Sequence, residues 1–225
     1  MLEIACFNIN SAINAAKSGA DRIELCANYA DGGVTPSYDT LKRLREQIET
    51  GVPINVMIRP RGGNFTYSPE ELGTMEESIK LFKPLASGFV FGILDSEHRV
   101  DKAKNLHLVK VAEPLPCTFH RAFDQLQDMF EETEKLINCG FRAVLTSGGP
   151  SGAILGAQKV GQLQEVFDSK ITFILGGGVR SQNIQDLKQK SKVKWFHSAA
   201  ITSSSDETAD LEEVSKLKSM LQNDD

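Results

Sequence analysis

No apolar run in this chain approaches the roughly 18–20 residues that a helix needs to cross a bilayer, so a membrane-spanning protein is not expected. Excess positive charge is missing too. Lys and Arg number 25 against 30 Asp and Glu, a formal net charge of −5. That leaves no electrostatic footprint for nucleic acid or an anionic lipid surface. Cysteine is sparse: Cys6, Cys26, Cys117 and Cys139 lie far apart, and no pair has the CxxC spacing of a zinc or redox motif. The N-terminal Met1-Leu2-Glu3-Ile4 enters strand-like sequence with no signal-peptide core, so the expected compartment is the cytoplasm, where the cysteines would be thiols. After the first apolar run comes Phe7-Asn8-Ile9-Asn10, which lacks the glycine fingerprint of a dinucleotide site.

What the chain does have is one pattern repeated. Eight short apolar runs read as strands: Leu2–Cys6, Arg22–Cys26, Ile54–Ile58, Phe89–Leu94, Cys117–Phe119, Ala143–Thr146, Thr172–Leu175 and Trp195–His197. Between them lie segments with helical spacing. Leu72, Met75, Ile79 and Phe82 follow Ser68-Pro69-Glu70-Glu71, a capping residue, a first-turn proline and an acid at the third helical position. Leu126, Met129, Phe130, Thr133, Leu136 and Ile137 form another apolar face, and Leu211, Val214, Leu217 and Leu221 a last one. Residues 202–210 read as a solvated loop. Strands alternating with helices imply parallel pairing. Eight units of about 28 residues predict a single-domain α/β protein over residues 1–225, a (β/α)8 TIM barrel.

In such barrels a functional site is built at the carboxyl ends of the strands. The polar residues of this chain gather there. Thr118-Phe119-His120-Arg121-Ala122-Phe123-Asp124 brings three kinds of ionisable side chain to the end of the fifth strand, where burial without partners would cost several kcal/mol. Glu24 lies towards the functional end of the second strand, with Arg22 on the same face and Glu3 as a further ionic partner. Arg59 and Arg61, beside Gly62-Gly63, offer planar forks suited to a carboxylate or phosphate. Gly176, Gly177 and Gly178 follow the seventh strand and Ser198 the eighth, the usual place for a phosphate loop. His197 holds a position like that of His120. His98 and His107 read as surface residues.

The ordered motifs Glu24-Leu25-Cys26, Asp31-Gly32-Gly33-Val34-Thr35-Pro36-Ser37, Met57-Ile58-Arg59-Pro60-Arg61-Gly62-Gly63, His120-Arg121-Ala122-Phe123-Asp124 and Leu145-Thr146-Ser147-Gly148 resemble the CutC family over nearly the whole chain. The resemblance implies a cytoplasmic (β/α)8 barrel that is often a homo-oligomer and is classed with copper homeostasis. Family cysteines put forward as Cu(I) ligands map onto Cys6 and Cys26. Asp31 stands where the family usually has Glu, and the stretch after Ala200 is shorter than its pattern.

Two expectations follow. In one, the protein binds copper as Cu(I) through Cys6 and Cys26, soft thiolate ligands on consecutive strands. In the other it is an enzyme acting on a small anionic or phosphorylated molecule. Arg59, Arg61 and the Gly176–Gly178 loop would hold the anion, with Glu24, His120, Arg121 and Asp124 as candidate catalytic residues.

Overall fold

The computed structural model describes residues 1–48, 51–203 and 207–222. Its eight strands run β1 Leu2–Cys6, β2 Arg22–Leu25, β3 Ile54–Met57, β4 Gly88–Phe91, β5 Cys117–Phe119, β6 Ala143–Thr146, β7 Thr172–Leu175 and β8 Trp195–Ser198. Each pairs in parallel with the next, and β8 returns to β1 to close the barrel. The helices are α1 Ile9–Lys17, α2 Tyr38–Gln47, α3 Pro69–Phe82, α4 Lys102–Ala112, α5 Met129–Cys139, α6 Ala153–Phe167, α7 Ile184–Ser191 and α8 Leu211–Gln222. No helix among the described residues is long and apolar enough to cross a membrane.

Local chemistry sets most boundaries. At α3 the Ser68 hydroxyl accepts from Glu71 N, and the Glu71 carboxylate accepts from Ser68 N at 2.9 Å. This reciprocal cap satisfies two donors that the first turn would otherwise leave bare. The apolar face that begins at Leu126 in the sequence enters a helix only at Met129. Asp128 accepts from Phe130 N and Glu131 N and starts α5 there, while Arg121–Gln125 winds as a separate 3₁₀ segment behind the cap His120. β4 ends at Phe91 rather than Leu94, because Ile93 N and Leu94 N donate to Asn105 Oδ1 and Phe65 O instead of continuing the sheet. Of the 202–210 segment, residues 204–206 lie outside the described residues.

Alternation along each strand divides the core in two. Leu2, Ile4 and Cys6 of β1, Ile23 and Leu25 of β2 and Ile54 and Val56 of β3 join the large apolar layer beneath the helices. Their neighbours point into the barrel. That interior is unusually polar: Glu3, Glu24, Asn55, Thr118 and His197 are all buried within it. Small residues make the space. A Cβ on Gly88 would fall 2.6 Å from Asn55 Oδ1, and one on Gly176 2.7 Å from a Leu145 methyl and 3.3 Å from His197.

Candidate functional site

Register brings a buried ionic chain together. Glu3 stands level with Arg22 on one side and His197 on the other, so all three project inward, and Glu24 sits one layer higher opposite Ala5. One Glu3 oxygen receives Arg22 Nε. The other lies 2.8 Å from His197 Nδ1, and His197 Nε2 faces Glu24 Oε2 at 3.8 Å. Burial opposes ionisation of Glu3, but His197 and Arg22 outweigh it and hold the carboxyl below its ordinary range. At Glu24 burial prevails over the pull of His197 and pushes the carboxyl up. Burial also opposes charge on His197, yet Glu24 and Glu3 together raise its pKa. Glu24 is 3% exposed, and its Oε1 has no hydrogen-bond partner among the described residues.

Above this chain opens a cavity of about 250 Å³, lined by Glu24, Cys26, Arg59, Phe65, His120, Arg121, Gly177, Gly178, Arg180, His197 and Ser198 among others. It lies at the carboxyl ends of the strands, as β/α barrels require of a site. His120 forms one wall, 4% exposed and 4.7 Å from the Phe65 ring, centre to centre. Its Nδ1 accepts from Ala122 N at 3.3 Å. A backbone amide can only donate, so a neutral ring must carry its proton on Nε2. Burial and the Arg59 charge press its pKa down to about 3 and keep the ring neutral. Nε2 is buried without a partner.

Arg121 also lines the cavity and is held in place. Its Nε donates to Asp124 Oδ2 at 2.8 Å and its Nη2 to Ser147 Oγ at 3.3 Å, while the side chain keeps 45% of its surface exposed. Asp124 also accepts from Thr146 Oγ1, Ser147 N and Ser147 Oγ, at 2.6, 2.9 and 2.7 Å. Four donors therefore fill its two oxygens. That makes Asp124 an anchor for Arg121 rather than a base with an open lone pair. Gly177 turns at φ +91°, and a Cβ there would lie 3.1 Å from the Arg121 guanidinium carbon. The bare backbone is what lets the guanidinium settle over the loop.

A family model for CutC matches residues 1–202. The chain belongs to the CutC family. It is 40% identical over 201 residues to the human copper homeostasis protein cutC homolog, covering 89% of this chain and 73% of that protein. The Caenorhabditis elegans homolog of the same name is 38% identical over 200 residues, with 88% and 80% covered. Among solved structures, a CutC from Streptococcus agalactiae superposes with a TM-score of 0.84 at 34% identity, over 88% of this chain and 98% of that one.

In this CutC barrel the two cysteines singled out from the sequence do not converge. Cys6 shares the outward parity of Leu2 and Ile4 and packs in the layer beneath the helices, its thiol directed at Ile4 O, 3.5 Å away. Cys26 packs with Met57 and Val90 inside the mouth and donates to Glu24 Oε2 at 3.5 Å. The cause is parity: Cys6 pairs with Leu25, so Cys26 points the other way. Burial, then the Glu24 charge, pushes both thiols well up, which disfavours thiolate. As a pair they do not fit a Cu(I) chelate. Among the described residues, the three side chains whose ligand atoms come within 4.8 Å of one another are Glu3, Glu24 and His197. Such an oxygen and nitrogen set suits harder divalent ions than Cu(I).

The two motif arginines also part company. Arg59 is 6% exposed and reaches the cavity wall, but its Nη1 binds Asp31 O and Gly33 O, and its Nη2 binds Gly63 O. Arg61 turns away, pairing with Glu71 at 2.6 Å and donating to Asn64 O and Thr66 O. Gly177 and Gly178 line the cavity, whereas Gly176 serves packing inside the barrel. Ser198 Oγ donates to Val179 O and accepts from Arg180 Nη1 at 3.0 Å. Arg180 itself carries little signal in the sequence beyond standing two residues after the glycine triplet. Glu3 enters the sequence reading as an ionic partner, and its register with His197 emerges only on closure of the barrel. His98 and His107 are exposed.

Proposed function

We propose that the mouth of this CutC barrel binds a small anionic molecule and moves a proton on it. The observation that carries this reading is the buried chain Glu3–His197–Glu24, which ends in an unpartnered carboxylate oxygen at a cavity flanked by Arg121. A buried carboxylate in this position, with its pKa raised by its surroundings, is what general base catalysis near neutrality calls for. Arg121 supplies the cation for the anionic group, with the Gly177 and Gly178 backbone beside it. His197 acts through Glu24 by placing positive charge next to it, and Glu3 holds His197 in that position.

The copper homeostasis named for the relatives supports a second reading, and one feature favours it here. Cys26 and Met57, two sulfur side chains, pack together at the same cavity. Soft donors of this kind suit Cu(I) as cargo. On this reading Cys26 is the ligand that a metal entering the mouth would meet, and Cys6, in the layer beneath the helices, takes no part.

One set of titrations separates the two. Inorganic phosphate followed by calorimetry is expected to bind wild type and to bind Arg121→Ala about tenfold more weakly, the loss of one charge-assisted contact. Cu(I) competed against a chelator is run on the reduced protein and on Cys26→Ala and Cys6→Ala. Phosphate binding indifferent to Arg121, together with tight Cu(I) binding lost in Cys26→Ala alone, would reverse the order of the two readings.

A further inference from the structure

The anion reading leaves one wall of the cavity unused, and that wall has a chemistry of its own. His120 stands at the carboxyl end of β5 and lines the same cavity as Glu24, and its buried Nε2–H has no acceptor among the described residues. Its tautomer is set by the Ala122 amide at Nδ1. The ring is also fixed in position. It is wedged between Phe65 and Gly92, where a Cβ would come within 2.7 Å of Nδ1 and 2.8 Å of Cε1. A buried donor left without an acceptor is destabilising, so an oxygen acceptor from a bound molecule is what this geometry is suited to receive.

Glu24 Oε1 is the complementary group, a buried acceptor with no donor. One cavity thus offers a carboxylate base, a neutral imidazole N–H and an arginine cation. We infer that the substrate is an anionic carbonyl compound, a phosphorylated hydroxyaldehyde or hydroxyketone in class, whose carbonyl oxygen is bound by His120 Nε2–H while Glu24 removes the proton from the adjacent carbon. This deepens the anion-site reading and rests on it.

The step balances without a further reactant. The carbon–hydrogen bond breaks and its proton goes to Glu24. The electron pair becomes the carbon–carbon double bond of an enediolate, and the carbonyl π pair moves onto the oxygen held by His120. Return of the proton to the same carbon restores the carbonyl and the carboxylate. Return to the neighbouring carbon does so once the proton of the adjacent hydroxyl has passed to the oxygen held by His120, which leaves a carbonyl where the hydroxyl stood. A neutral imidazole suits this role, because its donor strength approaches that of the enediol it stabilises and it gives no proton away in the ground state. His120 and Glu24 are then catalytic residues, and Glu3 and His197 position Glu24.

The test compares 2-phosphoglycolate, which carries oxygens where an enediolate would, with ethyl phosphate, which carries only the anion. Calorimetry on the full chain is expected to show the first binding about tenfold or more tightly than the second. His120→Ala should erase that difference, and His120→Gln, which keeps a donor, should restore part of it. If wild type binds both probes alike, or His120→Ala keeps the difference, the assignment of His120 is overturned while the anion site stands. If ethyl phosphate does not bind at all, the anion reading beneath it fails as well. Nitrogen-15 spectra of wild type cover the case in which the variants do not fold. A neutral ring protonated at Nε2 that shifts with 2-phosphoglycolate alone is expected, and a ring protonated at Nδ1 sinks the proposal.

Discussion

Gly92 shows how a single missing methyl shapes the site. It lies between β4 and the loop that follows, in ordinary backbone conformation, so nothing but space demands glycine there. That space holds the His120 ring and an edge of Phe119, which a Cβ would approach to 2.7 and 2.9 Å. Both rings are fully packed and neither is the far end of a flexible chain. Gly92→Ala is expected to cost about 1–3 kcal/mol, the usual range for overpacking, and to turn the imidazole out of its cap. The check is a thermal melt combined with the His120 Nε2–H resonance, and an unmoved resonance in a fully stable variant would refute the account. No reading of the chain alone finds this role, because Gly92 and His120 are 28 positions apart and meet through a strand pairing. His120, Arg121 and Asp124 were legible, since three ionisable types crowd a strand end. What they do was not: Asp124 looks like a base until Thr146 and Ser147 arrive from the next strand to occupy it.

At the scale of elements the chain was legible to within a residue or two at most strand ends, because strand, loop and helix alternate with little ambiguity of period. The differences come where side chains capture the backbone. Asp128 delays α5, and Asn105 and the loop at Phe65 draw the chain off β4. Parity across strands was the part the order of residues leaves open, and it decided the fate of the cysteines. Packing between elements sets a second limit at α6. Gly156 is the fourth residue of α6, within the helix, where glycine normally costs up to about 1 kcal/mol relative to alanine. Here the sign reverses. A Cβ on Gly156 would sit 1.8 Å from Ser147 O, and Gly148 in turn, at φ +81°, meets the Gly156 carbonyl. These contacts are backbone on backbone and cannot be relieved by a rotamer. Gly156→Ala is expected to destabilise by about 3 kcal/mol, the upper end for overpacking. It should also weaken phosphate binding, because Ser147 holds Arg121. A denaturant midpoint equal to or above wild type would show that α6 does not press on this loop.

For the whole molecule, the two buried histidines set opposite slopes on stability against pH. His197 has its pKa raised in the fold, with Glu24 and Glu3 prevailing over burial. The stability it contributes is complete below the unfolded value near 6.5 and is lost as pH rises through the folded one. His120 goes the other way. Burial and Arg59 lower it to about 3, so between roughly pH 6.5 and 3 the unfolded chain binds a proton that the folded chain refuses. Its contribution is therefore full above about 6.5 and falls by about 1.4 kcal/mol for each unit of acidification. The lowered carboxyls of Glu71, Glu76, Asp95 and Asp210 are half-buried and titrate below their ordinary range, so they leave the interval from 4.5 to 6.5 largely clear. His120→Asn can still accept from the Ala122 amide and removes the titration. Relative to wild type it is expected to gain roughly 2–3 kcal/mol between pH 6.5 and 4.5, read from denaturant midpoints at half-unit steps. A gap that stays constant across that interval would mean the imidazole charges inside the fold. It would then be a cation below about pH 6.5 and could act as a neutral donor only above it.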